Sequence, residues 1–413
     1  MQYQIQLRQG MLASSSEWKN VKSAIDDLIL KVNLNPDDLR SKNALGLAYI
    51  QESRISGNHS YYDAAAIRLF NDVLQKQPEN FEALIGKSTV LLSQHHFIEA
   101  IPIAKKAQQV SQQNSAAYGV LTDAYAETGE YESAIEMADM MTSMRPDIRS
   151  YSRISYMREI TGNYEGAIEA MKMAIAAGQP GLEQTEWCRV QLGQLYENTG
   201  DLLHAKLCYD QSVYHRPSYA WAYAGQARIE KAQGNYKAAI DLIQHALAIL
   251  PDPSFELELA ELYRIVNRQE EAAIMARNAV EHLGGLKNEE AGQNHGHYAD
   301  RELAYAYLAC YDYQNAYKHA LIEYNRRPKN IEVNQCLGWV LYKLGKFLQA
   351  GKYMDVALRT NSKNPVLLFE AGMIKSAAGQ KEEGRRLMAE ALEQCPYISP
   401  LLRWESKKLL AEK

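Results

Sequence analysis

The stretch SAAYGVLTDAYAETGEYESAIEMADMMTSMRPDI, residues 115–148, decides the fold because its pattern recurs along the chain. The stretch EWCRVQLGQLYENTGDLLHAKLCYDQSVYHRPSY, residues 186–219, has the same length. Aligned, the two share a Leu and a Tyr four positions apart, then a Gly, an Ala and a Pro. Self-similarity at a fixed period of this size is the sequence signature of a repeat array. We therefore expect one short structural unit, copied many times.

A small residue stands at the twentieth position of every unit. These residues are Ala66, Ala100, Ala134, Ala167, Ala205, Ala239, Ala272, Ala316, Ala350 and Gly384. The pattern resembles the tetratricopeptide repeat, a pair of antiparallel helices in which small side chains allow close helix packing. The resemblance implies an all-α fold: a right-handed superhelical α-solenoid of about ten helix hairpins with N- and C-terminal capping helices.

Residues that end helices recur at the positions where helix hairpins require them. Gly or Asn follows the first helix of most units, where the left-handed backbone conformation of a helix C-terminus is expected: Gly129, Gly162, Gly200, Gly234, Asn267, Gly345 and Gly379. Proline follows the second helix and prevents its continuation: Pro78, Pro146, Pro217, Pro251, Pro328 and Pro396.

The spacing predicts the organisation of the chain. We expect an N-terminal segment with a capping helix over 1–38, repeats 1–7 over 39–286, an inserted loop over 287–296, repeats 8–10 over 297–398 and a C-terminal capping helix over 399–413. Two further breaks in the spacing predict loops around 53–63, within repeat 1, and around 178–184.

Composition limits the class of partner and compartment. Lys and Arg number 45 against 50 Asp and Glu, a net charge of −5 that argues against a nucleic-acid surface. The five cysteines are widely spaced and indicate free thiols. No apolar run is long enough for a transmembrane helix. Because the start lacks a secretory leader pattern, we expect a cytoplasmic protein; a periplasmic protein or a membrane-anchored lipoprotein is the alternative if an export signal precedes this sequence.

Two histidines, His295 and His297, stand close to Asp300 and Glu302 and are the candidates for a metal site. They fall at the end of the expected inserted loop, and no third histidine is near in sequence, so we expect no metal and no cofactor. Nucleophile elbows, phosphate loops and HExxH pairs do not occur. We therefore expect no catalytic residues and no enzymatic activity.

A binding groove is implied by the resemblance. In tetratricopeptide solenoids, four positions of each first helix line the concave face, and aromatic and arginine side chains are common binding anchors. The candidates at these positions are Tyr156, Glu159, Trp187, Gln194, Trp221, Arg228, Arg264, Tyr298, Arg301, Tyr305, Trp339 and Tyr342. The alternative is that some of these aromatic side chains pack between neighbouring repeats.

The resemblance extends to long bacterial tetratricopeptide proteins of undefined activity. It implies a scaffold or adaptor that binds a protein or peptide partner in the concave groove, without fixing the oligomeric state. The carboxylate clamp of chaperone-binding relatives is not carried over, because Arg149 and Arg153 fit it but Ile85, Thr89 and Val120 do not. Two alternatives stay open: a ligand- or metal-binding regulatory protein that uses residues 287–302, and a bridging subunit of an enzyme complex.

Overall fold

A computed structural model describes residues 3–15, 17–288 and 296–411 of the 413-residue chain. Over these residues the secondary structure is helical throughout, without a strand. The helices are α1 (Gly10–Ala13), α2 (Trp18–Leu34), α3 (Leu39–Ser56), α4 (His59–Lys76), α5 (Phe81–Ser93), α6 (Phe97–Val110), α7 (Ser115–Thr128), α8 (Tyr131–Met144), α9 (Ile148–Ile160), α10 (Tyr164–Ala176), α11 (Glu183–Asn198), α12 (Leu202–His215), α13 (Ala220–Ala232), α14 (Tyr236–Ile249), α15 (Pro253–Ile265), α16 (Gln269–Asn288), α17 (Asp300–Ala309), α18 (Tyr313–Arg326), α19 (Ile331–Lys343), α20 (Phe347–Ala357), α21 (Pro365–Ala377), α22 (Lys381–Gln394) and α23 (Pro400–Ala411).

Consecutive helices from α3 to α22 pack as hairpins, and each hairpin packs on the next. Helix α2 precedes the hairpins and α23 follows them. The prediction of an all-α solenoid of about ten hairpins with a helix at each end is therefore confirmed. The repeat boundaries given above remain a proposal about how these hairpins divide the chain.

The turn residues have the left-handed backbone that the sequence predicts, and the small residues at the helix contacts are buried. The backbone is left-handed at Gly129, with φ of 81°, and likewise at Asn267, with φ of 62°. The small residues at the twentieth position are fully buried, as at Ala134 and Ala239. At Gly384 even a methyl group would collide with the backbone of Gly372 on the partner helix. Close helix approach thus explains why only small residues occupy this position.

The expectation of a loop around 53–63 is wrong. Helix α3 continues to Ser56 and α4 begins at His59, so the extra residues lengthen both helices of the first hairpin instead of forming a loop. A short connection suffices because Gly57 takes a left-handed conformation and Asn58 caps α4. Near the third break, α16 extends to Asn288, and residues 289–295 of the predicted inserted loop lie outside the described residues.

Successive turns of the superhelix touch. Around the turn between α7 and α8, the Glu127 carboxylate accepts a hydrogen bond from the Arg327 guanidinium, and the Glu127 carbonyl accepts one from the Asn330 side chain at 3.0 Å. The Tyr131 hydroxyl accepts a hydrogen bond from the backbone N–H of Ile331 at 2.9 Å. These partners are separated by about 200 residues, which is close to six repeats of 34 residues.

The same separation recurs at other turns. The Tyr298 backbone N–H donates to the Gln94 carbonyl at 3.0 Å, between the turns at α5–α6 and before α17. The Gln394 side chain donates to the Asn198 carbonyl at 2.9 Å. Near the N-terminus, Glu17 pairs with Arg216 at 2.6 Å. The turns of three hairpins, α5–α6, α7–α8 and α11–α12, and the residue before α2 are thereby docked on later parts of the chain.

Two separate constraints require glycine at the docked turn between α7 and α8. At Gly129 a side chain would meet a left-handed backbone and would also overlap the backbone of Lys329 in the next superhelical turn. Gly345 has an equally left-handed φ of 73°, but open space surrounds it because no further superhelical turn covers it. Comparing Gly129 with Gly345 therefore separates the requirement for a left-handed backbone from the requirement for space next to the docked turn.

Replacing each glycine by alanine measures the docking contact. Gly345→Ala should cost about 1–2 kcal/mol for the left-handed backbone alone. Gly129→Ala should cost about 1–3 kcal/mol more, because backbone atoms of Lys329 must move. Urea unfolding followed by circular dichroism gives both values. Equal losses for the two variants would show that the docked turns contribute nothing.

Candidate functional site

The interior of the coil contains a cavity of about 980 Å³, here called the main cavity. The facing helices α11, α13, α15, α17, α19 and α21 supply its walls, and α23 with the turn before it supplies one rim. Because these are the first helices of the hairpins, their inward faces converge where the coil curves. The volume lies within the range of about 300–1,000 Å³ typical of ligand-binding pockets.

Most charges of the main cavity are already paired. Arg228 contacts Glu197 at 3.0 Å and Glu258 at 3.3 Å. Lys231 contacts Glu261 at 2.8 Å. Desolvated pairs of this kind are expensive to break, since each leaves an uncompensated buried charge. These side chains therefore form the polar frame of the cavity.

Arg264 differs from the other cations of the main cavity. Its guanidinium donates to the Ala309 carbonyl and lies 4.9 Å from the centre of the Tyr311 ring. Within the part of the chain that the structure describes, it forms no ion pair with a carboxylate. Arg264 thus presents a charge that a carboxylate from outside can neutralise.

Aromatic side chains form the rest of the site. Trp339 stacks on Tyr342 at 4.9 Å and 11°, and the Lys343 ammonium lies 4.5 Å from the centre of the Trp339 ring. At the rim, Tyr311 is 63% exposed and Trp404 is 60% exposed. Large exposed aromatic side chains around a cavity are typical of binding surfaces.

A second cavity of about 630 Å³ lies on the other side of Tyr305, which lines both spaces. Here Arg301 pairs with both Glu302 and Glu332. His297 lines this cavity, and burial, with the nearby charge of His95, lowers the pKa of His297 to about 3. Its imidazole is therefore neutral at neutral pH.

The structure distributes the predicted groove residues over several places. Arg228, Arg264, Tyr305 and Trp339 line the main cavity, while Trp221, Arg301 and Tyr305 line the second one. Tyr342 is buried behind Trp339, and Tyr298 lies in the contact between superhelical turns. The remaining four candidates, like Tyr298 and Tyr342, line neither cavity: Tyr156, Glu159, Trp187 and Gln194. The three groove tryptophans do not share one channel.

Trp339 fits the alternative that some groove aromatic side chains pack inside the protein, because it is 6% exposed and belongs to the buried core. Trp221 packs on Phe255 at 4.7 Å, and Trp187 is 36% exposed. The presence of a large residue at a groove position therefore does not distinguish these environments.

Sequence reasoning missed several residues of the main cavity. Lys231 occupies one of the four groove positions and could have been found from the repeat register. Glu370 and Lys343 stand next to groove positions, and Trp404 belongs to the C-terminal helix outside the repeats. No repeat pattern points to these three.

The metal candidates are not assembled into a site. His295 lies outside the described residues. Asp300 instead accepts hydrogen bonds from His319 at 2.7 Å and from Arg326 at 2.6 Å, and so it is a buried ion-pair centre at the start of α17. Where the structure describes the chain, no three His, Cys, Asp or Glu side chains form a group that could hold a metal ion. Likewise, no helix there is long and apolar enough to cross a membrane.

The stacked helix hairpins define a helical-repeat protein. Family models described as "Tetratricopeptide repeat" match residues 91–153 and 188–219. The chain therefore contains tetratricopeptide repeats in these two stretches. Proteins of this family are generally non-catalytic scaffolds.

Several solved structures are similar to this chain, and those of IFIT1 share its fold. A human IFIT1 dimer with PPP-AAAA is 16% identical, with a TM-score of 0.52, over 85% of this chain and 81% of that one. A thermophilic tetratricopeptide protein of Thermus thermophilus is 21% identical over 43% of this chain and 92% of its own, with a TM-score of 0.38. MamA is 22% identical over 37% and 88%, with a TM-score of 0.30. No curated protein matches the chain.

Truncating two tryptophans tests the division between core and surface. Trp339→Ala should destabilise the protein by about 3–5 kcal/mol, as expected for a buried aromatic side chain. Trp187→Ala should cost under about 1 kcal/mol, because its side chain is partly exposed and lines neither cavity. Thermal and urea unfolding measure both. Equal tolerance of the two changes would mean that Trp339 is not part of the core.

Proposed function

We propose that the protein is a non-enzymatic interaction scaffold that binds a short segment of a partner protein, or a peptide, in the main cavity. The observation that carries the proposal is Arg264, whose guanidinium has no carboxylate partner among the described residues although it lines a cavity with an aromatic rim. The segment it suits carries a carboxylate beside aromatic or branched apolar side chains.

The aromatic rim supports the apolar half of this chemistry. Trp404 and Tyr311 lie more than half exposed at the cavity, with Val366 and Tyr397 beside them. Aromatic side chains bury a large area for few rotatable bonds, so they are frequent energetic anchors of interfaces. Covering them with apolar side chains of a peptide removes this surface from water.

Charge balance favours a peptide over a nucleic acid. The main cavity has four basic side chains, Arg228, Lys231, Arg264 and Lys343, against four acidic ones, Glu197, Glu261, Glu370 and Glu405. Nucleic-acid surfaces carry an excess of Lys and Arg to replace the counterions of the phosphates. The IFIT1 structures contain PPP-AAAA and m7Gppp-AAAA, but the likeness at 16% identity extends to the fold alone.

Selection from a random octapeptide display library tests the proposal. Wild-type protein should enrich peptides that combine an acidic residue with aromatic or branched apolar ones. Arg264→Ala should weaken binding of the enriched peptides by about 1.5–3 kcal/mol, since a charge-assisted contact is lost. Arg385→Ala, which removes an exposed arginine of α22 away from the cavity, is the matched control and should bind normally.

The exposed aromatic rim of the main cavity leads to a separate prediction about peptide binding. Trp404→Ala should weaken binding of the same enriched peptides by about 2 kcal/mol without loss of folding, because the side chain is exposed. Trp187→Ala is the control at a site remote from both cavities. Two results contradict the proposal: selection of no peptide at all, or binding of a 5′-triphosphorylated RNA oligomer in the main cavity more tightly than any enriched peptide.

A further inference from the structure

One carboxyl group of the main cavity has no cationic partner. Glu370 lies in α21, is 5% exposed, and accepts a hydrogen bond from the Gln335 side chain at 2.8 Å. Across the described residues it forms no ion pair, whereas Glu197, Glu261 and Glu405 of the same cavity each contact a cation. A buried acid held by one neutral amide is an uncommon arrangement, because burial penalises the charged form.

The neighbouring cation, Lys343, pairs with Glu405 and not with Glu370. The Lys343 ammonium donates to both oxygens of Glu405, at 2.6 and 2.5 Å, and lies over the Trp339 ring. Two charged groups of one cavity thus form no direct ion pair among the described residues: the Arg264 guanidinium and the Glu370 carboxyl. A ligand that satisfies both carries charges of both signs.

We propose that Glu370 is the specificity-determining residue of the main cavity and receives an ammonium or guanidinium group of the bound peptide. This inference rests on the peptide-binding function proposed above and adds the class of side chain that the peptide must carry. The ligand is then a segment with a carboxylate for Arg264, a basic group for Glu370 and apolar side chains for the rim.

The surroundings of Glu370 suit a cation. Its carboxyl supplies the negative charge, and Tyr305, which lines the same cavity, adds an aromatic ring of the kind to which cations are attracted. The ionisable groups that influence Glu370 are Lys343 of α19 and Glu405 of α23, with Gln335 as its hydrogen-bond donor. Tyr305 of α17 and Cys336 of α19 lie close enough to feel its charge.

Binding of the basic group is therefore coupled to pH. Burial raises the pKa of Glu370 to about 7, against the lowering effects of the Gln335 hydrogen bond and the Lys343 charge. Below this pH the carboxyl is neutral and has no preference for a cation. The ionised fraction of such a group rises about tenfold between pH 6 and pH 8, so the preference for a basic ligand grows with pH.

Three octapeptide pools with lysine, norleucine or glutamate at a fixed position, and all other positions randomised, provide the probe. Retention on immobilised wild-type protein at pH 8 should be about tenfold higher for the lysine pool than for the norleucine pool. At pH 6, where only about a tenth of the carboxyl is ionised, the preference should fall to about twofold. Glu370→Gln keeps the shape of the side chain and should make the lysine-to-norleucine ratio close to one at both pH values.

Glu159→Gln is the matched control. Burial, followed by the charge of Glu332, also raises the pKa of Glu159 to about 7, but Glu159 lines neither cavity, so this variant should keep the wild-type ratio and its pH profile. A Glu370→Gln variant with an unchanged lysine preference would overturn the inference. If that variant does not fold, the pH profile of the wild-type ratio decides, and a flat profile overturns it.

The pools also separate this inference from the function on which it rests. Retention of the norleucine pool, and its loss in Arg264→Ala, reports peptide binding in the main cavity. The ratio of the lysine pool to the norleucine pool reports the role of Glu370. Norleucine retention without any lysine preference contradicts the inference alone, and absence of retention for every pool contradicts both.

Discussion

Docking of one superhelical turn on the next determines the character of this protein. An open solenoid exposes its concave face along its whole length, but here the turns touch through backbone groups, as between Glu127 and Asn330. The docked turns bring first helices of distant repeats around one concave cavity. Charged side chains that this arrangement buries interact more strongly than they would in water.

Desolvation explains the pairing seen inside. A charge in such an interior is tolerated when a partner of opposite sign lies within hydrogen-bond reach. Arg228 and Lys231 meet this requirement with carboxylates of neighbouring first helices, at nearly constant separations along the chain of about one repeat. The repeat therefore places a series of ion pairs between neighbouring first helices. Arg264 and Glu370 fall outside this series of ion pairs, and they are the two groups to which we assign recognition of a ligand.

The fold was largely predictable because its signals are local. Alanine at a tight helix contact, glycine at a left-handed turn and proline after a helix each report on neighbours within one repeat. The site was predictable only in part, because its assembly depends on residues about 200 positions apart. Trp339 and Trp187 both stand at predicted groove positions of a first helix, yet one is buried and the other is 36% exposed. Similarly, the extra residues around 53–63 extended two helices, since insertion length alone does not distinguish a longer helix from a loop.

The separation of about 200 residues between docked turns has a consequence for biosynthesis. Chains are elongated at about 5–20 residues per second, so the turn at Gly129 waits about 10–40 s before its counterpart at Lys329 exists. During that interval the first hairpins can stack on one another, but the surfaces that will close the coil face solvent. Closure is thus a late event on the ribosome, and the cavity is completed only when the last hairpins and α23 have been made.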